Sequence, residues 1–592
     1  MRGLIAAGLA FLMLPGNALA AQVRLAFPED ADLRAALRDA SLTATAVAEG
    51  EDERRDIVAA AQADYRRLLA VLFENGYFGP VISITVDGVE AAALPAVGLT
   101  GEVEVVTISV QTGPRFLFRE TVVTPLVPGT ELPEGFAPGE PAGTDVLRTA
   151  ARAGIDAWRA IGHAKADLAE QDIVADHPDR RVDARLLLAP GPRLRYGAVT
   201  VTGPERVRPR HVARIADIRE GRVYDPQELR TATERLTRTG AFASVSITEA
   251  ETIGPGDTLP MTITVVERLP RRFGFGAELQ SEEGLSASAF WLHRNLTGYA
   301  DSFRVEGRAS GIGGADSGPD YGLTFAYNRP STFNPETDLY ANAGVERLDQ
   351  PNFLTDRAYA EVGARRIVSE EFQYSYGIGL QVSRTEDAFG EREFAMLSLP
   401  LEATYDRRDD RLNPRGGYFV ELGTRPFVGF QTAGTGAALD ADLRAYRSFG
   451  TEEGTVLAAR LQLGSVVGPD LDEIPADMLF FSGGGGTVRG QEFQSLGVEL
   501  PNGETVGGKS FLGLATELRQ DVTDNIGIVG FVDFGLVSPD ATFGDGETQV
   551  GAGLGVRYDT GIGPIRVDVG LPVSGPGDQS GFSVYIGIGQ AF

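Results

Sequence analysis

From Arg271 to its end the sequence alternates with a period of two, and helical spacing drops out. In 550–559 the even positions Val550, Ala552, Leu554, Val556 and Tyr558 are apolar, while the odd ones are Gly551, Gly553, Gly555, Arg557 and Asp559. Ile565, Val567, Val569 and Leu571 alternate with Arg566, Asp568 and Gly570, and Leu512, Leu514 and Leu518 with Glu517 and Arg519. The last residues put Phe582, Val584, Ile586, Ile588 and Phe592 on one face. Strand side chains point alternately to the two faces of a sheet, so each stretch has one apolar face and one mixed face. A soluble sandwich alternates too, but its polar face meets open water with long, flexible charges. Here that face mixes glycine with Arg, Asp and Glu, as in a hydrated lumen lined by opposite charges. A closed barrel is the sheet that sits in lipid without unsatisfied edges. At roughly 20 residues per strand and loop, residues 271–592 make about sixteen antiparallel strands.

The N-terminus points to the same compartment. Arg2, the apolar run from Leu4 to Leu14 and Ala18-Leu19-Ala20 read as a secretory signal over residues 1–20, cleaved before Ala21. No later stretch is apolar and long enough for a membrane-spanning helix. There are no cysteines, so no disulfide staples any domain. The net charge of −28 argues against a nucleic-acid partner, which needs a basic face. A signal followed by a barrel means the bacterial outer membrane.

Before the barrel, a small mixed motif recurs. Ala61, Tyr65, Leu68 and Leu72 mark one helix face ending at Gly76-Tyr77-Phe78, and a strand pattern follows in 81–86. Leu147, Ala151, Ile155 and Trp158 mark a second such helix. The third starts at Asp225-Pro226-Gln227-Glu228, with a cap, Pro at the first position and Glu at the third, and buries Leu229, Ala232 and Leu236. Gly113-Pro114-Arg115 and Gly191-Pro192-Arg193 each open a new strand. This spacing predicts three α+β modules, 22–112, 113–190 and 191–270, each of β-α-α-β-β type with two helices.

Residues 483–497, GGGGTVRGQEFQSLG, stand out within the barrel. A phosphate-binding loop needs Gly-Lys-Ser/Thr entering a helix, and neither follows Gly490. A plain linker has no use for Val488-Arg489-Gly490, Phe493 or Leu496. "FFSGGGGTVRG", "GIVGFVDFGLV", "GAGLGVRYDTGIGPIRVDVGLPV" and terminal Phe592, in this order, resemble the outer-membrane assembly-factor superfamily of BamA and TamA. Its periplasmic modules are POTRA domains. Three modules and the approach "DLDEIPADMLFF" resemble the TamA branch most.

The resemblance implies that the loop folds back into the barrel. Arg489 of Val488-Arg489-Gly490 then meets Asp533 of Phe531-Val532-Asp533-Phe534-Gly535. The alternation agrees, since Ile528, Val532, Phe534 and Leu536 face lipid and leave Asp533 inside. One departure is Gln491, where the family has an aromatic residue; Phe493 is the candidate to replace its packing. The resemblance also implies a TamB-like, inner-membrane-anchored partner, unfolded outer-membrane protein clients, contact with outer-membrane lipid, and no cofactor. The first module, farthest from the barrel, is the place for that partner to dock.

Enzymatic readings fare poorly. In 405–419, Asp406, Asp409 and Asp410 are interleaved with Arg407, Arg408 and Arg411, which suits a lumen charge network better than a metal or acid–base site. His163, His177, His211 and His293 lack metal-ligand spacing. There is no G-x-S-x-G elbow. The activity that the resemblance implies is assembly: clients add strands to module sheet edges, and the barrel opens where its first strand meets its last. Phe273, Phe275, Ala277 and Leu279 of the first strand face out. Gly274 and Gly276 are expected to lie opposite Gly587 and Gly589, weakening this seam near Phe592. The alternative is a two-partner-type secretion pore or a passive porin.

Overall fold

The structure, a computed structural model, describes residues 22–95, 98–280, 284–313, 318–450, 454–523, 525–560, 563–576 and 581–592. The expected signal peptide, residues 1–20, lies outside them. The chain divides into two compact units, one reaching to Gly197 with Gly221–Gln227 and Thr252–Leu259, the other holding Ala198–Glu220, Glu228–Glu251 and Pro260–Phe592.

In the first unit, Gln22–Ala26 pairs in parallel with Val105–Gln111, which pairs antiparallel with Val81–Val86. The helix Arg54–Glu74 lays Ile57, Ala61, Leu68 and Leu72 into the core beside Ile84 and Ile108. Its buried Asp64 accepts from the Ser41 hydroxyl (2.6 Å) and from the backbone N–H of Leu42 (2.8 Å) and Thr43 (3.1 Å), capping the helix Leu42–Ala48. Leu117–Thr124, Arg181–Ala189 and Asp167–Asp176 form the next sheet, covered by Thr144–Ala160, which buries Leu147 and Ala151. Two helices were expected here; among the described residues there is one. Pro125, Pro128, Pro133, Pro138 and Pro141 occupy the stretch where the other belongs, and proline clashes with and unbonds a helix interior.

The third sheet runs in the order Arg195–Thr202, Thr258–Glu267, Phe242–Glu249, with two helices as expected. Asp225 Oδ1 accepts from Gln227 N at 2.8 Å, the cap read from the sequence.

The barrel is closed and consists of seventeen strand segments among the described residues. Two of them, Gly390–Ser398 and Leu401–Asp406, share the same neighbours on both sides, Phe372–Asp387 and Gly417–Gln431. They are one stave broken at Leu399-Pro400, where proline removes a ladder donor, so sixteen staves close the wall. Side chains follow the predicted parity: Phe273, Phe275, Ile528 and Val532 are exposed, while Glu517, Asp533, Arg557 and Asp568 are buried inside.

Candidate functional site

The loop 468–509, between Thr455–Val467 and Ser510–Asp521, folds back into the barrel and delivers Arg489 to the wall. Arg489 is 3 % exposed. Its Nε and Nη2 grip Asp533 at 2.7 and 2.9 Å, a bidentate fork, and its backbone N–H adds a third bond to the same carboxylate at 3.1 Å. Nη1 donates to Glu517 at 2.7 Å and to Asp568 at 3.2 Å. The guanidinium carbon lies 3.7 Å from the Phe531 ring centroid, a favourable cation–π placement out of water.

The cluster extends past the expected pair. Arg519 donates to Glu517 (2.9 Å) and to the Phe592 carbonyl (3.2 Å). Arg557 bonds Asp568 and, through Nε, Gln590 (2.9 Å). Three arginines thus meet three carboxylates, all buried. Buried charge is tolerated only when it is paired and hydrogen-bonded in this way.

Glycines explain how the loop reaches the wall. A Cβ at Gly551 would stand 2.0 Å from the Arg489 carbonyl oxygen, and one at Gly535 would meet Ser482 Oγ at 2.2 Å and Val488 Cγ2 at 2.9 Å. The lumen-facing glycines of these strands are a bed for the loop backbone. Gly490 has φ +92 and packs on Leu571, so no side chain fits there either. Farther along, Asp477 binds Arg357 at 2.6 Å and Gln494 binds Gln350 at 3.0 Å, tying the loop to the opposite staves.

Gln491 has its own role. The ladder shifts register between Val550 and Gly551, opposite Ser574 and Pro572, and Pro572 has no N–H to give. The buried Gln491 amide donates to the carbonyls of Val550 (2.7 Å) and Ser574 (2.9 Å). Phe493 does not replace an aromatic there; it lines a lumen cleft of about 640 Å³ with Phe480, Phe481 and Phe511. Gln491→Phe is expected to destabilise this barrel by about 1–3 kcal/mol, because two buried carbonyls lose their donor. The urea midpoint of the folded form in vesicles measures it.

The seam is a short ladder. Among the described residues, the first strand, Arg271–Gln280, meets the last, Ser583–Ile588, through two residue pairs, Leu279 with Ile586 and Gln280 with Tyr585. Its other neighbour pairs with it along all ten residues. Among the described residues no ladder pair joins Gly274 or Gly276 to Gly587 or Gly589. A Cβ at Gly274 would strike the Phe290 ring at 2.2 Å, and one at Gly276 Ser288 Oγ at 2.9 Å, so they make room for the neighbouring strand. Gly587 pairs with Arg566, and Gly589, at φ +94, lies beyond the strand. There the chain turns inward: Gln590 bonds Asn413 at 2.9 Å and Phe592 packs against Tyr446. Phe592 is therefore buried in the lumen instead of sharing the lipid-facing side. Tyr585 links seam and loop, accepting from the Gly490 N–H at 3.0 Å.

The acidic–basic stretch 405–419 also departs from expectation. Asp406 binds Arg408 at 2.9 Å, but Asp409 and Asp410 accept mainly backbone N–H groups and shape a turn at the barrel rim. Among the described residues no cluster of His, Cys, Asp and Glu suits a metal ion.

Known proteins share this architecture. The Omp85 superfamily domain matches residues 295–592, and the surface antigen variable number repeat, the POTRA profile, matches 194–268. The outer membrane protein assembly factor BamA of Nitratidesulfovibrio vulgaris is 23% identical over 474 residues, covering 76% of this chain and 57% of that protein. The chain thus spans little more than half of that relative's length. BamA of Haemophilus ducreyi lacking POTRA domains 1–3 superposes with a TM-score of 0.64 at 17% identity, covering 80% of this chain and all of that one. CdiB from Acinetobacter baumannii gives 0.50 at 14%, covering 80% and 90%. With the barrel in the bacterial outer membrane and POTRA structure on its periplasmic side, the chain belongs to the Omp85 superfamily.

Proposed function

We propose that this protein assembles other outer-membrane proteins, receiving unfolded client segments on its POTRA sheets and releasing them into the bilayer through the barrel seam. The observation that carries this reading is the short seam, two residue pairs among the described residues, which leaves most of Arg271–Gln280 unpaired on that side. In lipid every unpaired backbone group costs several kcal/mol, so a barrel with a purely structural task gains from a full ladder at each joint. The largely unpaired edge of Arg271–Gln280 is a template onto which a client strand can add. The Arg489 cluster supports the same reading, since Tyr585 ties the loop to the last strand and lets the loop hold that strand in place.

In this reading the three sheets preceding the barrel are POTRA modules, 22–112, 113–190 and 191–270, as in the TamA branch. The ten-residue edge Asp167–Asp176, with Ile173 and Val174 exposed, suits strand addition. The protein reconstituted in vesicles should speed the folding of an unfolded barrel client, read as a heat-modifiable band. Unchanged folding with steady ion conductance would instead mark a passive pore.

A TamB-like, inner-membrane-anchored partner docks on the first module in this scheme. Deleting 22–112 is expected to leave an inserted, heat-modifiable barrel that no longer co-purifies with that partner. Retention of the partner at full yield would place docking elsewhere.

A further inference from the structure

At the periplasmic rim a cleft of about 820 Å³ is lined by Arg208, Arg210, His211 and Arg214 of the third module and by Tyr299 and Arg329 of the barrel. All belong to one compact unit. Arg208 and Arg329 both place their guanidinium carbons over the Tyr299 ring, 4.1 and 3.8 Å from its centroid, and Arg208 also bonds the Tyr299 hydroxyl. Arg214 is committed to the carbonyls of Ser331 (2.9 Å) and Thr332 (2.7 Å).

Two polar atoms here are shut away from water without a partner among the described residues: Nε of Arg329 and Nε2 of His211. The His211 residue is 5 % exposed. Burial lowers the His211 pKa, the ring's bond to the Pro330 carbonyl opposes this, and Arg329 and Arg214 add to the lowering. With its other nitrogen bonded to that carbonyl, Nε2 of the neutral ring is an acceptor. The carboxylate near this histidine, Asp301, is fully buried and already accepts from Thr297 N (3.0 Å), Thr297 Oγ1 (2.9 Å) and Tyr299 N (3.1 Å). The cleft therefore carries excess positive charge, with its neighbouring carboxylate already taken.

Its surroundings select the kind of ligand. Leu296 and Phe333 are exposed on the same two barrel turns, 46 % and 61 %, where the bilayer meets the periplasm. An apolar margin around a basic cleft suits a molecule with an anionic head and a lipid body.

We propose that this cleft binds the headgroup of an anionic glycerophospholipid of the periplasmic leaflet, its phosphate on the guanidinium groups of Arg208, Arg210 and Arg329. Guanidinium forks match phosphate oxygens. A zwitterionic head brings an ammonium group into a cluster of arginines whose neighbouring carboxylate is already saturated.

The test uses the full-length protein in neutral detergent, offered equal amounts of phosphatidylglycerol and phosphatidylcholine, with bound lipid counted by native mass spectrometry. Phosphatidylglycerol is expected to be retained about tenfold over phosphatidylcholine. Arg329→Gln and Arg208→Gln should each cut that preference several-fold, in keeping with the loss of one charge-assisted hydrogen bond, with heat-modifiable mobility unchanged. Arg210→Gln, at an exposed position, provides a variant that leaves the packing intact and should also lower the preference. Equal retention of the two lipids, or an unchanged preference in all folded variants, overturns the proposal. So does displacement of phosphatidylglycerol by inorganic phosphate at equal concentration, which would make the cleft a free-phosphate site.

Discussion

Arg489→Ala is expected to destabilise the barrel by about 3–5 kcal/mol, the usual cost of leaving a buried charge without its partner. The two halves of the pair should not behave alike. Glu517 and Asp568 keep Arg519 and Arg557 when Arg489 is lost, but the bonds to the Asp533 side chain come from Arg489 alone among the ion pairs described. Asp533 is then stranded at 1 % exposure. Asp533→Ala leaves Arg489 with Glu517 and Asp568 and should cost less. The double variant should be no worse than Arg489→Ala, because removing Asp533 also removes the stranded charge. Urea midpoints in vesicles and protease cutting of the loop 468–509 measure all three. Strictly additive losses would mean that the two residues act independently.

Much of this pair was legible in the sequence, and the reason is local. Strand alternation fixes which face Asp533 occupies, and the family resemblance named its partner. Glu517, Arg519, Arg557 and Asp568 carried the same inward parity, yet nothing in their spacing put them at one height. Height along a barrel is set by the stagger between strands, which comes from register. A period of two cannot encode it. The opposite case is Gly551 and Gly570, whose alternation read as a glycine-lined lumen. Their cause is the loop backbone lying on them, visible only once a segment some 60 residues or more away in sequence is in place.

Gln491 shows a further limit. Read alone, it is an aromatic position filled by an amide. Its meaning depends on Pro572, whose missing N–H leaves a bulge that the amide serves. The helix missing from the second sheet, by contrast, was written locally in five prolines, and the repeat pattern outweighed them. Repeat arguments transfer an element from one copy to the next without asking whether each copy's residues allow it.

Locking the seam should remove assembly activity altogether. The register places Leu279 opposite Ile586, and directly paired antiparallel residues have Cα atoms about 4.5–5.5 Å apart, within the range a disulfide spans. The chain has no native cysteine to compete, so Leu279→Cys with Ile586→Cys forms a single cross-link. Tyr585 and Gln280, the other pair, are left alone because the Tyr585 hydroxyl holds the Gly490 backbone. A bond at this point turns a joint that opens by breaking a short ladder into one that requires a covalent break. The oxidised protein should insert and show normal heat-modifiable mobility but fail to speed client folding, and reductant should restore it. A passive pore keeps its conductance when sewn at this joint, because its path runs through the lumen and not through the wall. Full assembly activity in the oxidised form would show that clients do not leave between Arg271–Gln280 and Ser583–Ile588, and the short ladder there would then need another explanation.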